Sequence, residues 1–591
     1  MQRGPTRGLE LATLVSGLLF CGITAAHALR ELRLESLLPG DPEGYMRAAE
    51  RGDAFVSSAL LLPGFVVLVL CLFDTARSAS LRGRRPLLRA ASILCILGLA
   101  WLSGVYLDAG SLDPAQGGEA LLAQHRARAP AYYALYALVL AMAGCLLAAH
   151  RAPGQGPPQV DAEGRYPSPW VPPLFGATPA LPERQWRVLG LMVAAGLFNA
   201  YDHQIFSLAL KQIQEGLGID EARLGYLGSI VRLGVIPGVL LVLLSDVLGR
   251  RRLLLWTIAG YTITTGLTAF APSEQTFVAC QFLSRTFGAA ETTLAAVVVT
   301  EEIDADQRGW ALGVLAGLAF LGVALAWVLF ASVEVLPMGW RGLYLVGLGP
   351  LVLLAWLRRR LPETRRFERQ RARAPRAGVL RSVVRPLADL VRMYPGRFTA
   401  VAAVSFLMSF SGQSAGFFFP KYMQDTHGIA PSRLTLIAAG IGIAGMCAMP
   451  LLGRLGDRVG RKPVALLFIA LNPLTVMGVF LGSGIVWLAV FFLLMFLTDI
   501  GSDHNLRVFA KELFPTSHRA TAGAAAAVLG QLGGSLGLAA ESVLFGVLGS
   551  HGQAVSVLAV VGFLVPVLVY GAYPETRRRV LEEIAPERDP P

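Results

Sequence analysis

Sixteen apolar stretches, each long enough to cross a bilayer as a helix, constrain this chain more than any other feature. Four fall at about 9–29, 54–73, 87–107 and 131–149, six between 187 and 361, and six between 397 and 573. A helix rises 1.5 Å per residue, so about 20 apolar residues span the hydrocarbon layer. Backbone polar groups find no water there and must bond internally, which leaves helices or a closed barrel. The stretches are too long for barrel strands and lack their alternation, so helices follow. With 54% hydrophobic and 16% charged residues, the 591-residue chain also carries more apolar sequence than a soluble core needs. The expectation is an all-α, multi-pass protein of the cell membrane.

A net charge of +12 invites a nucleic-acid reading, but the cations sit in loops that alternate to one side of the membrane. Residues 358–397 hold thirteen arginines, whereas the links near 271–275, 482–485 and 549–553 hold neither Lys nor Arg. By this asymmetry both ends of the last twelve helices face the cytoplasm. The six cysteines occur singly, with no Cys-x-x-Cys and no Cys/His clamp, so neither a disulfide framework nor a metal site is expected. No phosphate-cradling Gly-rich loop appears, which excludes ATP as the driving force. No cofactor is expected, and nothing marks the chain as an enzyme.

Residues 1–150 are expected to form a separate module of four membrane helices, its partner unknown. Arg3 and Arg7 before an apolar stretch that ends in Ala26-His27-Ala28 leave two readings of residues 1–28, a first helix or a cleaved signal. Residues 151–185 follow as a cytoplasmic linker with nine prolines, too rich in Pro and Gly for a helix. A six-helix half is expected over 186–362, a basic central loop over 363–396, and a second six-helix half with a tail over 397–591.

Between two apolar runs lies Gly453-Arg-Leu-Gly-Asp457-Arg458-Val-Gly460-Arg461-Lys462, a tight turn packed with charge. A second copy, Asp246-Val-Leu-Gly249-Arg250-Arg251, precedes it by 211 residues; it has Val242 and Val247 where the later copy has Gly453 and Arg458. Glu301 with Arg308 and Glu512 with Arg519 keep the same offset, and Pro362-Glu-Thr-Arg-Arg and Pro574-Glu-Thr-Arg-Arg keep one of 212. Three pairs in one register indicate an internal duplication. The turn resembles the signature loop of the major facilitator superfamily, and the resemblance covers about 186–585. It implies a twelve-helix fold of two six-helix pseudo-repeats with a substrate path at their interface. These turns and acid/arginine pairs would then form the cytoplasmic gate.

Charges inside the apolar runs are the candidate site, since each must face a partner or a water-filled cavity. Asp202 lies about fifteen residues, roughly 22 Å, into the first core helix. Arg232 and Arg285 sit at similar depth on the second and fourth. Glu291 is six residues beyond Arg285, so the two do not share a helix face. The duplication maps Asp202 onto Gln413. On the tenth helix Asp499, Asp503 and Arg507 form one stripe, with Asp503 spaced for a salt bridge to Arg507 and Asp499 left without a local partner. Glu541 stands isolated in the outer half of the eleventh helix.

The segment around Asn199-Ala-Tyr-Asp202 is similar to the first-helix motif of aromatic-acid/proton symporters, with Asn199 in place of the first acid. Arg285-Thr-Phe-Gly288 with Glu301 and Arg308 resembles sugar and metabolite symporters. The fifth helix lacks the Gly-Pro pair of drug/proton antiporters. Together these imply secondary active transport of a small organic solute, coupled to protons, by alternating access. Asp202, Glu291 and Asp499 are the proton-coupling candidates, and Arg232, Arg285 and Gln413 the substrate-binding ones. Two arginines favour an anionic solute, because a guanidinium pairs bidentately with a carboxylate. A sugar or polyol porter is an alternative, as is a sensor that keeps the transporter fold without moving solute.

Overall fold

The computed structural model describes residues 181–359 and 387–575, except 335, 337, 516 and 517, with Glu363 and the pairs 165–166 and 178–179. The expected four-helix module at 1–150 and residues 364–386 of the central basic loop lie outside the described residues. Arg165–Tyr166 and Thr178–Pro179 pair as two short antiparallel strands, so the Pro-rich linker carries one pair of extended segments.

Twelve helical spans follow. They are α1 (Glu183–Leu208), α2 (Glu221–Val242), α3 (Arg250–Ala269), α4 (Glu274–Glu302), α5 (Ala305–Phe330) and α6 (Trp340–Arg358). The second set is α7 (Pro395–Asp425), α8 (Pro431–Val459), α9 (Arg461–Leu481), α10 (Ile485–Glu512), α11 (Arg519–Leu548) and α12 (His551–Ala572). Nine helices among the described residues are long and apolar enough to cross a membrane. The others are α1, α3 and α8. α1 and α3 have a span's length but more polar sequence, as in α3, which opens on three arginines and carries five threonines, and part of α8 lies outside the residues whose side chains are described. The first three residues of α1, 183–185, fall in the stretch expected to be linker.

The described residues fall into two compact units. One gathers Gly309–Gly339, Ile429–Gly440 and the described residues before Val188; here Trp186 meets Trp310 edge-on at 5.8 Å and Thr435 donates to the Trp327 carbonyl at 3.1 Å. The other holds Val188–Arg308, Trp340–Gly428 and Ile441 onward, and contains everything described below. Its first half packs Ala195, Ile258, Tyr261, Leu351 and Leu354 from α1, α3 and α6. Its second half has a separate core that includes Val404 of α7, Ile469 of α9, Phe509 of α10, Ala522 of α11 and Val569 of α12.

The duplication is visible in the turns. Gly249 (φ 94°) and Gly460 (φ 124°) stand immediately before α3 and α9 in conformations that an L side chain rarely adopts, which accounts for glycine in both copies. Arg250 pairs with Glu301 at 3.0 Å, and Arg461 pairs with Glu512. Glu363 accepts from the Arg251 backbone N–H at 3.1 Å, and Glu575 accepts from those of Arg461 and Lys462 at 3.2 and 3.1 Å. In each half, therefore, the glutamate after the sixth helix caps the third helix's N-terminus, where unpaired N–H groups favour an anion by about 0.3–1 kcal/mol. We call this the hinge end of the bundle, and the opposite one the far end. The side chains of Asp246 and Asp457 lie outside the described set.

Candidate functional site

α1 presents Asn199, Asp202 and His203 over successive turns. The Asn199 amide donates to the Gly288 carbonyl of α4 at 2.9 Å and to the Thr292 hydroxyl. A Cβ at Gly288 would lie 2.6 Å from the Asn199 side chain, so glycine is what lets α1 and α4 approach here. Asn199, which stands where the resemblance has an acid, thus ties two helices together.

Asp202 is 5% exposed. Its Oδ2 accepts from the Ser284 hydroxyl of α4 at 3.0 Å, with the Thr265 hydroxyl of α3 at 3.5 Å, while Oδ1 is buried without a hydrogen-bond partner. Thr265 and Ser284 also bond each other at 3.2 Å, and Tyr261 donates to the Phe198 carbonyl at 3.0 Å alongside. Neither Arg232 nor Arg285 forms an ion pair with Asp202, although the three lie at similar depth. Arg285 is close enough for its charge to bear on the carboxyl, but its Nη2 donates to the His203 carbonyl at 3.2 Å. The carboxyl is held by hydroxyls, with one oxygen to spare.

Arg232 is half-buried on α2, and its Nε has no hydrogen-bond partner. It lies against α11, where a Cβ at Gly534 would be 2.7 Å from that Nε. α2 breaks into Leu224–Leu233 and Val235–Leu243 at Gly234, since Pro237 has no N–H for the Leu233 carbonyl. Gly234 and Gly238 both press onto carbonyls of α4, Phe282 and Thr286, at 2.4 Å from a built Cβ. The Arg285 Cβ is 3.0 Å from that at Gly234, so α2 and α4 bring the two arginines to one seam.

The other expected residues are placed elsewhere. Glu291 forms a buried ion pair with Arg358 of α6 and accepts from the Thr257 hydroxyl at 2.7 Å. Arg358 Nη2 also donates to the Leu191 carbonyl at 3.1 Å. Gln413 is half-buried on α7. Asp499 and Asp503 are exposed on α10 and neither stands free, so Asp499 is not the partnerless acid that its spacing suggested. The Arg507 side chain lies outside the described set. Glu541 is not isolated either, because the His551 ring is 2.6 Å from it. Sequence reasoning also passed over a glycine seam on α11, Gly530, Gly533, Gly534 and Gly537; its signal is the small residues at three- and four-residue spacing.

The Major Facilitator Superfamily profile matches residues 192–538 and 401–588. The chain belongs to that superfamily. It is 28% identical over 399 residues to a probable 4-methylmuconolactone transporter of Cupriavidus pinatubonensis, covering 65% of this chain and 90% of that one. It is 26% identical to the 4-hydroxybenzoate transporter PcaK of Pseudomonas aeruginosa (64% and 89% covered) and 22% identical to the sialic acid transporter NanX of Escherichia coli (63% and 93%). Among solved structures, a D-xylose-proton symporter superposes with TM-score 0.56 at 16% identity, covering 67% of this chain and 99% of that one. At that identity the likeness establishes the fold. With its apolar helices, superfamily membership makes this a multi-pass membrane protein of the twelve-helix architecture.

Proposed function

We propose that this chain is a secondary transporter that moves a small organic anion together with protons by alternating access. The observation that carries the reading is the separation of Asp202 from both arginines. A carboxyl in a direct ion pair would occupy the cation that a substrate needs, and here hydroxyls hold it instead. Arg232, with an unpartnered Nε at the meeting of α2 and α11, and Arg285 are then available to a carboxylate, while Asp202 binds and releases the proton. Relatives named for 4-hydroxybenzoate, sialic acid and a muconolactone support an acidic or oxygenated solute. Gln413 contributes a neutral hydrogen-bonding group from the second half, and the hinge-end pairs of Arg250 and Arg461 steady each half as a rigid body.

Glu291 serves in this scheme as a structural partner of Arg358, leaving Asp202 as the principal proton carrier. The test uses purified protein in liposomes with 4-hydroxybenzoate as probe. Wild type accumulates it when only a pH gradient is imposed, and Asp202→Asn loses that accumulation yet still exchanges labelled for unlabelled solute. Uphill accumulation by the Asn variant would remove Asp202 from the coupling. Absence of any flux with a panel of aromatic and sugar acids would favour the sensor reading.

A further inference from the structure

At the far end, six charged residues join the two halves of the bundle. Lys211, in the short helix Leu210–Leu217 after α1, pairs with Asp425 of α7 at 2.9 Å. Glu221, on the turn into α2, meets Lys421 of α7 at 3.0 Å and the His551 Nε2 of α12 at 3.4 Å. Lys421 also pairs with Asp425. The His551 Nδ1 is 2.6 Å from Glu541 Oε1 on α11, and the Glu541 side chain is fully buried. The His551 ring stacks between Phe418 and Phe545, at 4.4 and 4.2 Å. Nearby, Arg223 is taken by Glu274 of its own half at 2.6 Å, and the Tyr422 hydroxyl by the Phe480 carbonyl at 2.6 Å.

We infer that Glu541 and His551 form a second proton-binding site, distinct from Asp202, that operates as a clasp between the halves at the far end. The inference rests on alternating access only in taking far-end contacts between the halves as a closed gate. With one proton on the dyad, the imidazole donates toward Glu541 through Nδ1 and toward Glu221 through Nε2. The same holds if the proton sits on Glu541, which then donates to Nδ1 and leaves Nε2–H for Glu221. A neutral imidazole beside an ionised Glu541 has a single N–H. If that N–H stays on the buried carboxylate, a lone pair faces Glu221 and the link between halves is lost.

Charge balance points the same way. With its proton, the cluster sets Lys211, Lys421 and His551 against Glu221, Asp425 and Glu541. Without it, one negative charge is left over in a buried setting, beside the carboxylate that belongs to the other half. The flanking Phe faces favour a cation between them. Glu541 Oε2 has no hydrogen-bond partner, and His551 Nε2 faces Glu221 at ion-pair distance, 3.4 Å, without forming a hydrogen bond, so both atoms remain open to a proton. A proton arriving from the far side therefore closes that side.

Spin labels at Gln275→Cys on α4 and Gln553→Cys on α12, with the native cysteines replaced, report the far-end separation by pulsed electron resonance without any substrate. We expect one short distance at about pH 6 and a longer population that grows at least about threefold by about pH 8.5. His551→Gln removes this pH response, and Glu221→Gln, a partly exposed position that leaves the core intact, weakens it. Asp202→Asn keeps it. A distance that ignores pH in wild type, or a His551→Gln protein that shifts as wild type does, overturns the clasp. Loss of the response in Asp202→Asn with retention in His551→Gln assigns it to Asp202 and overturns the clasp while leaving the proposed function standing.

Discussion

Arg358 is fully buried at the end of α6, and among the described residues Glu291 is the one carboxylate paired with it. Removing one member of such a pair leaves an uncompensated charge in a dry site, at about 3–5 kcal/mol. Replacing both with apolar groups of similar volume is often far less damaging. Arg358→Met should therefore lower the thermal unfolding midpoint in detergent markedly, and Arg358→Met with Glu291→Met should recover most of the loss. Equal losses for the single and double variants would show that the pair contributes through packing. The sequence offered Glu291 as a proton carrier because it showed an acid inside an apolar run. It could not show Arg358, 67 residues on, reaching the same spot.

α11 shows how an element takes its shape from contacts that its own sequence barely advertises. Built Cβ atoms at Gly533 and Gly537 would lie 2.2 Å from the carbonyl oxygens of Phe406 and Phe410 on α7, whereas the nearest atoms to one at Gly534 are those of the Arg232 guanidinium, the end of a long side chain. Backbone cannot step aside as a guanidinium can. Gly533→Ala should cost about 1–3 kcal/mol through overpacking. On the proposed function, Gly534→Ala should leave the unfolding midpoint close to wild type while lowering anion uptake through a displaced Arg232. Melting curves and liposome uptake on the same preparations check both; a Gly534→Ala protein with unchanged uptake would detach Arg232 from substrate. The break in α2 is likewise legible only in part: Pro237 announces a lost hydrogen bond, but the two glycines that seat the broken helix on α4 reveal their purpose only in the fold.

For the whole molecule, the 211-residue register predicts two equivalent hinge ends, and the structure supplies matching positive-φ glycines, arginine–glutamate pairs and glutamate caps. The copies nonetheless differ in sequence, since Val242 and Val247 replace a glycine and an arginine in the first. Asp457→Asn should accordingly reduce transport more than Asp246→Asn at matched expression, measured as initial uptake rate. Equal losses would mean that the missing glycine and arginine do not set the hinge's strength.

By itself the sequence determined the helical, membrane-spanning architecture, because apolar length and the need to satisfy backbone groups in lipid leave no other solution. It also determined the duplication, which needs only residue spacing, and the shortlist of intramembrane charges, which follows from their cost in lipid. Which charges share a site was decided by tertiary structure, because partners lie on different helices and depth along one helix says nothing of the direction a side chain faces. Thus Asp202 was found among hydroxyls of α3 and α4 rather than on an arginine, Glu291 was matched to Arg358, and Glu541 was joined to His551 ten residues away. The far-end clasp is of the same kind: Glu221 and His551 are 330 positions apart, and only the packing of the two halves puts a carboxylate of one against the imidazole of the other.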